Sequence, residues 1–349
     1  MGTSDLLRIL EDAAGDPVLL ALATVDLTYP ELPESARDLL RTALEAAAVP
    51  HWCDSTILAG LLNIDEERAA EIWGELSRLT VVEPFPARGN SAGNVHSRTR
   101  SAIRRRLAAA DQDRLRLLSG RAVKLFEADQ RTAATVERLY HTLLADPDEA
   151  IRELERASSG WMWNVQHEIR FALSAALTEL LEEEVLTGRP AIWARVVVAQ
   201  HRADVEGAAG FAELANELLS EAKAVQDRRL VAETQSLVGD VARERGDPDA
   251  AEAAFEQHRS IMAALTAQDP GNRGWQRELA VAYSRIGDLA RDRGDLGGAE
   301  AAFEQCRSIM AALTAQDPSN TGWQRDLAFA HDRLRAVSRD AGRESEDGW

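Results

Sequence analysis

The sequence is poor in the residues that mark several functional classes. Its 349 residues include two cysteines, Cys53 and Cys306, far apart and in no spaced motif. That excludes a disulfide framework and a cysteine-based zinc site, and two reduced thiols suit a cytoplasmic protein. Lysine is nearly absent: Lys124 and Lys223 are the only two, and no Gly-Lys dipeptide occurs. A phosphate loop ending in Gly-Lys-Ser/Thr, with its phosphate-neutralising lysine, is therefore missing. Aromatic residues make up only 5% of the chain. The longest apolar stretch, residues 17–25, is too short to span a bilayer. The start of the chain has neither the basic segment nor the sustained apolar core of a signal peptide. With 58 acidic against 40 basic residues the net charge is −18. That argues against nucleic acid or an anionic membrane as the main partner, since both call for a basic surface.

What remains is a soluble, helix-rich composition, 45% hydrophobic and 28% charged, with alanine and leucine dominant. At about 150 residues per domain the length implies two domains. The charge is uneven. Residues 1–94 carry 6 Arg against 16 acids, a net of −10. Residues 95–127 carry 9 basic residues against 3 acids, a net of +6. Residues 128–349 carry 25 against 39, a net of −14. One basic island sits inside an acidic protein.

The strongest pattern is an internal repeat. AEAAFEQHRSIMAALTAQDPGNRGWQRELA (251–280) recurs 48 residues later as AEAAFEQCRSIMAALTAQDPSNTGWQRDLA (299–328), identical at 26 of 30 positions. The same offset links VGDVARERGD (238–247) to IGDLARDRGD (286–295), and more weakly to residues 334–342. Upstream, residues 211–222 align with the helix that carries Phe255 at an offset of 44. Each unit reads as two helices. Asn272 and Asn320 are N-caps. Leu279, Tyr283, Ile286 and Leu289 recur at helical spacing, Gly294-Asp295 makes the turn, and Asp317-Pro318 ends the second helix.

This pattern resembles the tetratricopeptide repeat. Its signature falls on Tyr283, Ile286-Gly287, Ala290, Ala299, Phe303, Cys306 and Pro318. In the preceding unit it falls on Gln235, Val238-Gly239, Ala242, Ala251, Phe255, His258 and Pro270. The usual period is about 34 residues; here each helix is about two turns longer. The resemblance covers about residues 208–342 and implies an α-solenoid that binds protein segments. Residues 129–207 read as degenerate helical hairpins (133–144, 148–157, 164–186 and 189–208) that continue it, and 343–349 as a disordered tail.

Residues 1–128 differ. Segments 34–48, 54–62 and 65–79 read as helices, with Asp54 and Asp65 as caps. Residues 79–85 (LTVVEPF) read as a strand, 86–93 as a loop and 94–96 as a return strand. Three helices and a strand–loop–strand is the order of a winged helix. The string PHWCDSTILAGLL…AAEIWGELSRLTVVEPFP…NVHSRTRSAIRRRL, within about residues 20–128, resembles the winged-helix segment that follows the ATPase core in signal-transduction ATPases with numerous domains. In that family the segment joins a nucleotide switch to a repeat sensor. The fold class is therefore mainly α, a winged-helix-like domain followed by tetratricopeptide-like hairpins of about 48-residue period. The missing phosphate loop leaves three options: an ATPase on another chain, a longer parent chain, or a module that works alone.

No cofactor and no metal is implied. His51-Trp52-Cys53-Asp54 lacks the second ligand pair a metal needs and reads as a helix start. His167-Glu168 lacks a second histidine four residues on. Arg98, Arg100, Arg104, Arg105 and Arg106 form the core of the basic island. It follows the wing rather than lying in the third helix, whose Glu66, Glu67, Glu71 and Glu75 would repel phosphates. Docking onto an acidic helix of the chain, or onto an acidic partner, competes there with DNA contact. In the repeats, Trp275, Gln276, Arg277, Tyr283 and Arg285, with Trp323, Gln324, Arg325 and Arg333, are the expected partner-binding ladder on the concave face. Packing of the tryptophans between repeats is the competing reading. The expected function is a non-catalytic, cytoplasmic regulatory adaptor or sensor of bacterial type, in signalling or defence. Its partners would be a protein or peptide on the repeats and an ATPase or effector protein. The alternative is a winged-helix DNA-binding regulator whose repeats sense a peptide.

Overall fold

The structure, a computed structural model, describes residues 15–127, 129, 131–161 and 167–342. Among these residues are 16 α-helices and one two-stranded sheet. The chain divides into two compact units, one within Met1–Ile151 and Ala175–Thr187, the other within Arg152–Ser174 and Gly188–Trp349.

In the first unit, α1 (Pro17–Thr28), α2 (Glu34–Ala47), α3 (Ser55–Leu62) and α4 (Glu66–Leu76) precede the sheet. Asp16, Asp54 and Asp65 cap α1, α3 and α4 by accepting from backbone N–H groups of Val18, Ile57 and Arg68, as short polar side chains do at helix starts. Strands β1 (Val82–Pro84) and β2 (Gly93–Val95) pair antiparallel with Val82 opposite Val95. Cys53, just before α3, adds a bridge to Gly93, so a third strand position lies between α2 and α3. Trp73 of α4 donates its indole N–H to the Ser91 carbonyl at 2.8 Å and ties the loop to the helices. Helices α2, α3 and α4 followed by strand, loop and strand keep the element order expected from the sequence. Then follow α5 (Ser97–Ala110), α6 (Gln112–Glu127), α7 (Thr132–Ala145), α8 (Pro147–Trp161) and α9 (His167–Glu182). The chain passes from the first unit to the second within α8 and back for the second half of α9.

The second unit continues with α10 (Gly188–Glu206), α11 (Ala212–Ala224), α12 (Arg228–Glu244), α13 (Pro248–Gln268), α14 (Arg273–Asp292), α15 (Leu296–Gln316) and α16 (Thr321–Asp340). Helices α13 and α15 each have 21 residues, and α14 and α16 each have 20, so the 48-residue period is a period of structure. Asn272 and Asn320 cap α14 and α16 by accepting from the N–H of Trp275 and Trp323, each at 3.1 Å. Gly246, Gly294 and Gly342 hold φ of +74°, +77° and +65°. They end α12, α14 and α16 with the left-handed residue that glycine adopts without strain.

Each hairpin closes on one contact. Phe255 of α13 lies over Gly239 of α12, and Phe303 of α15 over Gly287 of α14. A Cβ on Gly287 would sit 2.7 Å from a Phe303 ring carbon. Phe303 joins Ala299 and Val337 in one buried cluster, and Phe255 joins Ala242, Ala251 and Leu289 in another. Gly287→Ala therefore gains helix propensity but overpacks the hairpin. The expected net is a loss of about 1–3 kcal/mol, read as a lower thermal midpoint. Gly74→Ala, on an exposed turn of α4 with nothing near the new methyl, gains about 0.5–1 kcal/mol.

Candidate functional site

The repeat helices are stitched by ion pairs that recur with the period. Arg277 of α14 pairs with Asp326 of α16 at 2.6 Å, both about 4% exposed at the side chain. One unit earlier, Arg229 of α12 lies 3.8 Å from Glu278 of α14 and also pairs with Glu233. Asp240 pairs with Arg285, and 48 residues on Asp288 pairs with Arg333 at 3.2 Å. Arg243 pairs with Asp292 at 2.6 Å, and Arg291 with Asp340 at 2.7 Å. Three rungs thus join α12 to α14, and the same three join α14 to α16.

The step from α10 to α12 is built differently. Leu237 stands where Arg285 and Arg333 stand. Glu244, in the place of Asp292 and Asp340, instead accepts from the Ala209 N–H at 3.1 Å. There the helices leave a cavity of about 520 Å³, lined among others by Gln200, His201, Asp204, Asp240, Arg243 and Arg285. Asp204 is paired with Arg170. Next to Arg170 and Asp204 in the chain, Phe171 and Val205 are the most exposed large hydrophobics among the described residues, at 69% and 72%. The Phe171 ring meets His201 edge-on with centroids 6.3 Å apart. Burial pushes the Asp240 carboxyl up and the Arg285 guanidinium pulls it back; the net direction is upward.

The expected ladder residues distribute as follows. Arg285 lines the cavity. Arg277 is 3% exposed and paired with Asp326. Arg333 is committed to Asp288. Trp275 packs on Met262 and Leu265, and Trp323 on Met310 and Leu313. Gln276 and Gln324 donate to the Pro270 and Pro318 carbonyls, at 2.5 and 2.6 Å, within their own turns. Tyr283 is half-buried with the Arg259 guanidinium 5.8 Å from its ring centroid. Arg325 is exposed. The cavity residues other than Arg285 escaped the sequence reading. Their signal was the 48-residue comparison itself, which sets Leu237 against two arginines.

The basic island is not one exposed patch. Arg98, Arg105 and Arg106 are exposed, but Arg100 and Arg104 are 7% and 0% exposed. Arg104 pairs with Glu179 of α9 and with Glu183 just past its end, the latter at 2.7 Å, and donates to the Val49 carbonyl at 3.3 Å. Arg100 reaches Glu179 at 3.2 Å. A guanidinium taken out of water needs such carboxylates, and the acidic end of α9 supplies them. His51 joins the network, its ring between Glu137 of α7 and Glu179, 2.9 Å from the latter. Burial pulls His51 down, but Glu137 and Glu179 more than offset it and its titration is raised. Burial pushes the two carboxyls up, but His51 and its neighbours hold both well below the usual range. Burial pulls His141, also beside Glu137, down. The thiols are chemically quiet: burial pushes Cys53 well up, and Cys306 up to about 12.

Among the described residues no group of three or more His, Cys, Asp or Glu is placed to hold a metal ion, and no helix is long and apolar enough to cross a membrane. The side chains of His167 and Glu168, and residues 343–349, lie outside the described residues.

The period, the paired helices and the glycine–phenylalanine closures make the second unit an array of tetratricopeptide-like helical hairpins. No family model and no curated protein matches the chain. Among solved structures it is similar to a signal-transduction ATPase with numerous domains that carries a tetratricopeptide repeat sensor, from Pyrococcus horikoshii. The TM-score is 0.43 with 13% identity, over 98% of this chain and 56% of that one. The chain thus spans about half the length of that protein. It is also similar to a Rap protein solved with competence and sporulation factor, with a TM-score of 0.29 and 14% identity, over 98% of this chain and 100% of that one.

Two outcomes test the charge networks. Asp326→Ala leaves Arg277 buried and uncompensated and costs about 3–5 kcal/mol in chemical denaturation, whereas Arg277→Met with Asp326→Leu costs far less. In the first unit, His51 stabilises fully below its ordinary value of about 6.5, and this is lost as pH rises through its raised value. Glu137 and Glu179 stabilise above about 4.5, and this is lost on acidification. His141 opposes them, costing stability as pH falls below its unfolded value. Glu137→Gln is expected to lower the His51 titration midpoint measured by NMR and to flatten the alkaline side of the stability profile. An unmoved midpoint contradicts the assignment.

Proposed function

We propose that the repeat array captures a segment of another polypeptide, and that the chain is a non-catalytic adaptor or sensor. It passes the bound state, through the winged-helix-like unit, to an ATPase or effector protein. The observation that carries this reading is the cavity at the α10–α12 step, where the repeated ladder is interrupted. Its volume falls in the range of about 300–1,000 Å³ typical of ligand sites. Its lining offers charges of both signs with Gln200 and His201, suited to the amides and charged groups of a peptide. The exposed Phe171 and Val205 beside it supply apolar contact for an anchoring side chain. Tetratricopeptide-like arrays present such extended surfaces to protein segments.

The test is selection of displayed random peptides on the full chain, followed by affinity measurement on variants. His201→Trp, at a half-buried position of the lining, reduces the cavity without burying a charge. It is expected to weaken the selected peptides by about tenfold or more while the thermal midpoint is held. Phe171→Ala, a surface change, is expected to weaken them as well. Selected peptides that bind both variants as they bind the parent chain contradict this reading.

A second reading, contact with DNA, is favoured by the exposed Arg98, Arg105 and Arg106 on α5. It is opposed by the exposed Glu66, Glu67 and Glu71 of α4. It requires binding to a random duplex that falls steeply with salt and is lost in Arg105→Glu with Arg106→Glu.

A further inference from the structure

Helix α16 repeats the face with which α14 receives its neighbour. In α14, Arg277 and Arg291 hold Asp326 and Asp340 of α16. These arginines are 14 residues apart, as are the two acids, a span of about 21 Å along a helix. Between the arginines, Ala280, Val281 and Ser284 are buried at 1%, 3% and 1% exposure. The equivalent positions of α16 are Arg325, Ala328, Phe329, Asp332 and Arg339. There Arg325, Ala328, Asp332 and Arg339 are exposed and Phe329 is half-buried. Spaced three and four residues apart, they form one stripe along α16. Asp288, which takes Arg333 at the step before, is replaced by Ala336, and the acid of this stripe is Asp332, one turn earlier. Arg325 and Arg339 keep interactions within their own chain; a partner's carboxylates would exchange for these.

We infer that this face of α16 docks an α-helix of a partner protein that carries two carboxylates about four turns apart, with small or aliphatic residues and one basic residue, opposite Asp332, between them on the same face. Two interfaces of the same design already exist within the chain, α12 with α14 and α14 with α16. The flanking arginines select negative charge at both ends of the partner helix, and Ala328, Phe329 and Ala336 receive its apolar middle. The surface is separate from the α10–α12 cavity, so this inference does not rest on the proposed function.

The test uses the full chain and a fluorescein-labelled, covalently constrained helical peptide of residues 321–340. Its Asp326 and Asp340 are the acids that α14 accepts. Saturable binding is expected, measured by anisotropy. Arg325→Glu with Arg339→Glu, both at exposed positions, weakens it about tenfold or more with the thermal midpoint unchanged. A peptide with Asp326→Lys and Asp340→Lys recovers affinity for that variant and loses it for the parent chain. His201→Trp leaves the binding as it is. The inference is overturned if the parent chain shows no saturation up to about 1 mM peptide, or if the double variant binds like the parent. It is also overturned if the chain self-associates through this face, or if removal of residues 343–349 tightens binding, which would assign the face to a second copy or to the chain's own terminus.

Discussion

The repeat array depends on keeping register between long helices that present nearly the same residues every turn. Apolar packing alone distinguishes poorly between such registers, because small and aliphatic side chains fit many offsets. Charged rungs do not. Arg277 and Asp326 are both nearly removed from water, and a shift of one turn would strand each without a partner. The cost of leaving one buried charge unpaired, about 3–5 kcal/mol, far exceeds what a few shifted alanine contacts recover. The same holds one unit earlier for Arg229 between Glu233 and Glu278. The outer rungs, Arg243 with Asp292 and Arg291 with Asp340, are more exposed and weaker. They repeat the same alignment at the far end of each helix.

That regularity makes the interruption informative. Where Leu237 takes the place of an arginine and Glu244 turns to the Ala209 amide, the helices are no longer drawn together by the same rungs, and a cavity lies there. Regular pairing and concavity are thus separated along the array. The near-identical units from α12 onward are held by their ladder, and the irregular step carries the concavity and the exposed apolar pair. In the first unit electrostatics serves a different end. The acidic end of α9 is threaded by Arg100, Arg104 and His51, so part of the basic island is consumed in holding that unit together. The three outward arginines remain as surface charge within a chain of net −18.

Much of the fold was legible locally. Asp54, Asp65, Asn272 and Asn320 all cap the helices they were expected to cap, because a cap is a contact between residues three apart. The glycine turns and the sheet followed from the same short-range chemistry, and the helix lengths from the repeat. The uses of the arginines were not legible. Arg98 and Arg100 are two residues apart, yet one faces solvent and the other is buried against Glu179. That carboxylate is 79 residues away in the chain, and no local pattern announces it.

Residues 276–277 and 324–325 show where the division falls. Both read Gln-Arg after a tryptophan, in stretches that are almost copies. By itself the sequence determined that each lies on the first turn of a capped helix in a 48-residue unit, since period, caps and propensity act over a few residues. Only the tertiary structure decided that Arg277 is sealed against Asp326 while Arg325 is exposed. The physical reason is that burial is a property of the neighbour: a following helix covers α14 and supplies the carboxylate, and none among the described residues covers that face of α16.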